Sequence, residues 1–204
     1  DYILDPEAPE GGCLHVVVGD VAGHGISSAL LMASVRASLR MRRAVGDGLG
    51  AIVSDVNRQI TRDVGDSGRF LTLFYLALSR DGRELRWVRA GHDPGLVYCA
   101  REDAFHELYG EGMALGIDAD YRFQEYRRSG LAPGDLILVG TDGIWESHNP
   151  QGELFVKSRW QEVVHRHRDR PAAEILEAVF QAVQAFTGQP RPHDDMPLVV
   201  ARIR

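Results

Sequence analysis

Leu14 to Val21 sets Val16, Val17 and Val18 in succession and then meets Gly19-Asp20. A run this apolar and β-branched suits a strand covered on both faces. Such a strand belongs in a layered fold, and its far end delivers a carboxylate. Ile137-Leu138-Val139 repeats the theme by running into Thr141-Asp142-Gly143. His193-Asp194-Asp195-Met196 mirrors it, standing just before Leu198-Val199-Val200. With Asp1, four stretches spread over the whole chain carry aspartates. Strand ends that meet at one rim of a sheet bring distant carboxylates together, and clustered carboxylates repel unless a cation holds them.

The rest of the pattern fills in the layers. From Ile26 to Val45 the apolar spacing turns helical, with Ser27 and Ser28 as the expected caps. A second helix is expected from Leu49 to Val64, striped by Ile52, Val53, Val56 and Ile60. Phe70–Leu78, Glu84–Ala90 and Gly95–Tyr98 read as strands, the first two joined by the hairpin signal Arg80-Asp81-Gly82. A short strand is expected near Phe105–Leu108, another over Arg122–Arg128, and one over Leu136–Gly140 after the Pro133-Gly134-Asp135 turn. Helices follow over Ser158–Arg168 and Pro171–Thr187, and Met196–Ile203 closes the chain as a strand. This order predicts an α/β (α+β) layered sandwich, with helices packed on largely antiparallel sheets.

A chain of 204 residues is expected to form one domain. Its 29 acidic against 23 basic residues argue against a nucleic-acid binder and suit a protein that collects divalent cations. Cys13 and Cys99 lack CxxC spacing and read as buried reduced thiols, which places the expectation in a reducing cytoplasm. No apolar run is long enough to span a membrane and no signal peptide is visible. The abrupt start at Asp1 reads as a piece of a longer protein.

All-oxygen ligation favours hard cations, hence Mg²⁺ or Mn²⁺ rather than Zn²⁺. Three or four carboxylates in one pocket suggest two cations roughly 3.5–4 Å apart with a shared water, an arrangement suited to in-line attack on phosphorus. Each aspartate alone also reads as a turn or cap residue. Gly19 to Gly25 is no phosphate loop, because it lacks the lysine and the glycine spacing. The combination, in order and at strand ends, carries the reading.

The motifs that fill these positions resemble the metal-dependent protein phosphatases related to protein phosphatase 2C, in their bacterial SpoIIE/RsbU-type branch. The resemblance lies in Gly19-Asp20-Val21-Ala22-Gly23-His24-Gly25 with the small-residue helix after it, Thr72-Leu73-Phe74-Tyr75 and Ala90-Gly91-His92-Asp93-Pro94. It extends through Gly134-Asp135-Leu136, Thr141-Asp142-Gly143-Ile144-Trp145-Glu146 and Asp194-Asp195-Met196. It implies two central, mainly antiparallel sheets flanked by helices, and a single phosphatase domain over 1–204 that forms the C-terminal catalytic part of a longer protein. By resemblance Asp20 bridges two Mn²⁺ or Mg²⁺ ions and the Val21 carbonyl is a backbone ligand. Asp142 and Asp194 hold one ion, with Asp195 beside them, and Asp1 helps hold the other, with Asp5 as the alternative. His24 is read either as proton donor to the leaving oxygen or as a residue that caps the helix or supports a metal ligand from behind. His92 is expected to make structural hydrogen bonds in its turn, and His193 to shape its loop.

Two departures stand out. Pro197 replaces the usual Thr or Ser, and Val156 replaces the usual Gly after Glu153-Leu154-Phe155. The function implied is hydrolysis of phosphoserine or phosphothreonine in bacterial signalling. The substrate class implied is a STAS-type anti-sigma-factor antagonist, with an upstream sensor or regulatory domain and a homodimer among the expected partners. The rival readings are a regulatory binding module of the same fold with weak or no catalysis, and a small-molecule phosphohydrolase.

Overall fold

The computed structural model describes residues 1–5, 12–45, 47–189 and 195–204, with the backbone but not the side chain of Asp66. The chain forms two compact units, each assembled from two stretches: residues 1–94 with 109–131, and residues 95–108 with 132–204. Both sheets are antiparallel throughout their described pairings.

The first unit holds a sheet in the order β1-β2-β3-β4-β7. Its strands are β1 (Tyr2–Asp5), β2 (Cys13–Val21), β3 (Leu71–Ser79), β4 (Glu84–Ala90) and β7 (Tyr126–Ser129). The valine run behaves as its composition demands. Val16 and Val18 are buried on one face of β2, while Cys13 joins the core formed with the helices on the other. Two helices cover that second face, α1 (Ile26–Arg43) and α2 (Leu49–Val64). Leu31, Val35 and Leu39 of α1 and Ile52, Val53, Val56 and Ile60 of α2 pack with Leu71, Leu73, Tyr75 and Ala77 of β3. The alternation along β3 is the period-2 signature of a strand.

Polar groups on α2 bind the segment before β7 into this unit. The Asn57 amide is fully buried; it donates to the Asp118 carbonyl at 2.7 Å and accepts from the Gly116 amide at 3.0 Å. Ser54 accepts from the Phe123 amide, and the Glu125 carboxylate takes the first amide of α2, from Leu49, at 2.7 Å. A carboxylate at a helix N-terminus meets both an orphan donor and the positive end of the dipole. Gly50 is obligatory there, because a Cβ would stand 2.5 Å from the Phe123 carbonyl oxygen.

The second unit holds a sheet in the order β6-β5-β8-β9. Its strands are β5 (Gly95–Cys99), β6 (Ala104–Leu108), β8 (Leu136–Gly140) and β9 (Leu198–Arg202). Three helices belong to it: α3 (Asp142–Trp145), α4 (Val156–Arg166) and α5 (Ala172–Thr187). Leu96, Tyr98, Leu136 and Leu138 pack with Ile175, Val179 and Val183 of α5 and with stacked Trp145 and Trp160. Asp135, buried in the turn before β8, accepts from the amides of Ala100 and Ala132.

Several sequence expectations need correction. The strand expected over Arg122–Arg128 is β7, set at Tyr126–Ser129, where Tyr126 stacks on Trp87 of β4. Ser27 and Ser28 do not cap α1: the cap position falls on Gly25 at φ 87°, and Ser28 lies buried inside the first turn. That position also removes the capping role weighed for His24. The edge strand β1 and the short helix α3 were not anticipated. The last strand, expected from Met196, starts after Pro197 at Leu198, which pairs with Gly140. Val156 opens α4 at φ 60°. Both cysteines are free and buried. Among the described residues no helix is long and apolar enough to cross a membrane.

Candidate metal centre

In the first unit, Asp20 is the exposed penultimate residue of β2, paired across the ladder with Thr72. Strand alternation puts it on the face of Val16 and Val18, away from the helices, whereas Val21 packs its side chain toward the helix-covered core. Gly23 and Gly25, at φ 92° and 87°, then turn the chain into α1. Exposed His24 lies between them. Gly19 is needed because a Cβ would stand 2.8 Å from the Thr72 carbonyl oxygen.

Asp1 is also in this unit and continues the β1–β2 pairing, its carbonyl accepting from the Val17 amide at 2.8 Å. Its carboxylate is held by α1. Arg40 donates to both oxygens, at 2.7 and 2.8 Å, and Arg36 stands 3.2 Å away. The alternative, Asp5, forms an ion pair with Arg43. The sequence reading missed these arginine partners, though four arginines along one helix were a visible signal. Behind Asp5 lies a buried polar set. His15 meets the Tyr75 hydroxyl at 3.1 Å and Arg43 at 3.3 Å. Burial, with Arg43 adding, lowers the His15 pKa to about 4, and burial pushes the Tyr75 phenol up to about 12.

In the second unit, β8 ends at Gly140 and Thr141 precedes the single turn of α3, so Asp142 is presented at a helix start. This turn packs against the segment that leads into β9. The Thr141 hydroxyl donates to the Asp195 carbonyl at 3.4 Å. A Cβ on Gly143 would stand 2.4 Å from that same carbonyl oxygen. Asp142 and Asp195 are therefore brought to neighbouring backbone, and both side chains are exposed. Asp194 and His193 lie outside the described residues. Among the described residues, no three His, Cys, Asp or Glu side chains gather into a metal-holding cluster.

The donors suit a hard cation. Asp20 in the first unit and Asp142 and Asp195 in the second are each exposed oxygen donors. They fit Mn²⁺ or Mg²⁺. Asp1 fits only if a cation displaces Arg40. His92 behaves as expected of a structural histidine: it is 4% exposed, and its Nδ1 lies 2.8 Å from the Thr72 hydroxyl.

Comparison with known proteins identifies the fold and the family. Phosphoserine phosphatase RsbU of Bacillus subtilis is 27% identical over 201 residues, covering 98% of this chain and 57% of RsbU. Phosphoserine phosphatase RsbP of the same organism is 23% identical over 192 residues, covering 93% of this chain and 45% of RsbP. The chain thus spans about half the length of these relatives. The SiaA-PP2C domain of Pseudomonas aeruginosa superposes with a TM-score of 0.79 at 24% identity, covering 98% of this chain and 79% of that one. The structure of the RsbU and RsbW domains of Rv1364c from Mycobacterium tuberculosis gives a TM-score of 0.79 at 23% identity, covering 98% and 53%. The two antiparallel sheets with flanking helices are therefore a protein phosphatase 2C-like fold. The family described as Stage II sporulation protein E (SpoIIE) matches residues 10–204, nearly the whole chain, and the protein belongs to that family.

Proposed function

We propose that this chain is the catalytic domain of a metal-dependent serine/threonine phosphoprotein phosphatase of bacterial signalling. The observation that carries the reading is the packing of the Asp142 turn onto the backbone of Asp195, with Asp20 exposed at the end of β2. Asp20 and Asp142 are aspartates that the sequence pattern predicts as ligands, and Asp195 adjoins the third, Asp194. Support for the substrate comes from the relatives RsbU and RsbP, which are named phosphoserine phosphatases. A phosphorylated STAS-type antagonist is the proposed substrate class, and an upstream regulatory segment and a second copy of the chain are proposed partners.

In this reading Asp20, the Val21 carbonyl, Asp142 and Asp194 would hold two Mn²⁺ or Mg²⁺ ions, with Asp195 as a further carboxylate and Asp1 helping to hold the second. When bound, the ions supply an activated water and neutralise charge on the transferring phosphoryl group. The chain's own task is to present these carboxylates to the ions. His24, exposed on the Gly23–Gly25 turn, donates a proton to the leaving serine or threonine oxygen. The test is phosphate release from a phosphoserine protein with and without Mn²⁺. Asp20→Asn and Asp142→Asn should each lose at least about 100-fold; retained activity in either would sink the mechanism.

A second reading, a regulatory binding module with weak catalysis, is favoured by the Arg36 and Arg40 contacts that occupy Asp1. Calorimetry with Mn²⁺ separates the two readings. Two ions bound per chain support the enzyme, and one or none supports the module.

A further inference from the structure

Thr72 and His92 are built into the first unit with more care than a surface turn requires. The His92 turn is anchored from three sides. Gly91 bridges to Leu73 of β3, the residue next to Thr72. Gly91 has φ 69°, and a Cβ on it would stand 2.7 Å from the Ala114 amide nitrogen. Arg89 donates from Nε to the His92 carbonyl and from its terminal nitrogen to the Gly110 carbonyl at 3.0 Å. The ring so placed is almost wholly buried, and its Nδ1 lies 2.8 Å from the Thr72 hydroxyl oxygen.

Thr72 is in turn the register partner of Asp20. Directly opposed residues of an antiparallel pair share a face, with Cβ atoms about 4.5–5.5 Å apart, which is within reach of a hydroxyl-to-carboxylate hydrogen bond. A hydroxyl has one proton and two acceptor positions. If Nδ1–H donates to Oγ1, the threonine proton is released toward its other neighbour, and a carboxylate is the strongest acceptor for it.

We propose that His92 is a positioning residue. Through the Thr72 hydroxyl it fixes the rotamer of the Asp20 carboxylate in the orientation a hard cation needs. The proposal rests on the reading of Asp20 as a cation ligand. Groups that orient a ligand from behind typically change metal affinity by 10–100-fold when removed.

The test is Mn²⁺ binding to the 204-residue chain by calorimetry, alongside the metal-free melting temperature. Thr72→Val keeps the shape of the side chain and removes the hydroxyl. His92→Leu removes the ring nitrogen, whereas His92→Asn places a nitrogen donor near the Nδ1 position and Thr72→Ser keeps the hydroxyl. Thr72→Val and His92→Leu should weaken Mn²⁺ binding about 10–100-fold. Thr72→Ser and His92→Asn should stay within about three-fold of the parent. Parent-like affinity in Thr72→Val overturns the proposal, as does equal loss in Ser and Val or in Asn and Leu. Should His92→Leu fail to fold, the Thr72 pair decides alone. Asp20→Asn is the control. If it binds Mn²⁺ like the parent, the ligand reading itself falls; if it loses binding while Thr72→Val does not, only the positioning role falls.

Discussion

Val156 offers a clean measurement of backbone strain. It opens α4 at φ 60°, where an L-residue brings its Cβ against the carbonyl oxygen. For a β-branched side chain this is a true outlier. The neighbours hold it there. Phe155 is buried against Phe186, and its amide donates to the Ser147 carbonyl at 2.8 Å. Replacing Val156 by glycine alone would mix strain relief with the loss of its γ carbons, part of whose surface is covered although the residue is exposed. The informative comparison is therefore Val156→Gly against Val156→Ala, which both remove the γ carbons. At an ordinary helical position Ala is the more stable, by about 1 kcal/mol. In the left-handed region a Cβ costs about 1–2 kcal/mol, and the glycine loses roughly 0.5–1 kcal/mol of that through its freer unfolded chain. Glycine should thus exceed alanine by about 0.5–1 kcal/mol, or roughly 1–4 °C in melting temperature for a chain of this size. Thermal denaturation followed by circular dichroism reads the difference. An alanine variant that melts at or above the glycine variant would refute the reasoning.

Three further outcomes are expected. His15 is held neutral by burial at a pKa of about 4, below its unfolded value, so the unfolded chain binds more protons between the two. Stability is then full above about pH 6.5 and falls, by on the order of 2–3 kcal/mol, as the pH drops toward 4. Urea midpoints across that window should fall in the parent and stay flatter in His15→Asn, and an equal slope in both would rule His15 out. Arg40→Ala frees the Asp1 carboxylate of its bidentate partner and should tighten the weaker of two Mn²⁺ sites about 2–5-fold, as measured by calorimetry; unchanged affinity speaks against Asp1 as a ligand. Gly143→Ala forces a Cβ onto the Asp195 carbonyl and should cost about 1–3 kcal/mol, overriding the usual helical preference for alanine; an undiminished melting temperature contradicts the close packing of these two segments.

The parts of this fold that were legible in the sequence are those whose pattern repeats. The valine run of β2, the Ile52–Ile60 stripe of α2 and the hairpin at Asp81-Gly82 each announce their geometry through local spacing, and each is present. The aspartates at Asp20 and Asp142 were legible because each follows an apolar run. What escaped depended on partners far away in the chain. The four residues of β1 carry no periodicity and become a strand only against β2. α3 is a single turn whose packing is set by Asp195. The occupation of Asp1 by Arg40 is a contact between residues 39 positions apart. Val156 was visible only as a departure from a resemblance, and its φ of 60° now supplies the physical reason a glycine is usual there.

The path of the chain through its two sheets has a consequence for biosynthesis. β5 and β6 precede β7, the strand that completes the first sheet, yet their own sheet needs β8 and β9. β8, which covers the second edge of β5, is Leu136–Gly140, so about 30 residues must still be translated after β6 ends at Leu108. At about 5–20 residues per second that is a delay of roughly 1.5–6 s. Through it Leu96, Val97 and Tyr98, all buried in the finished protein, form a short apolar strand with one edge unpaired. Such an edge is a template for pairing with another chain. The nascent chain is therefore most prone to aggregate in this interval, and ribosome stalling between β6 and β8 lengthens it.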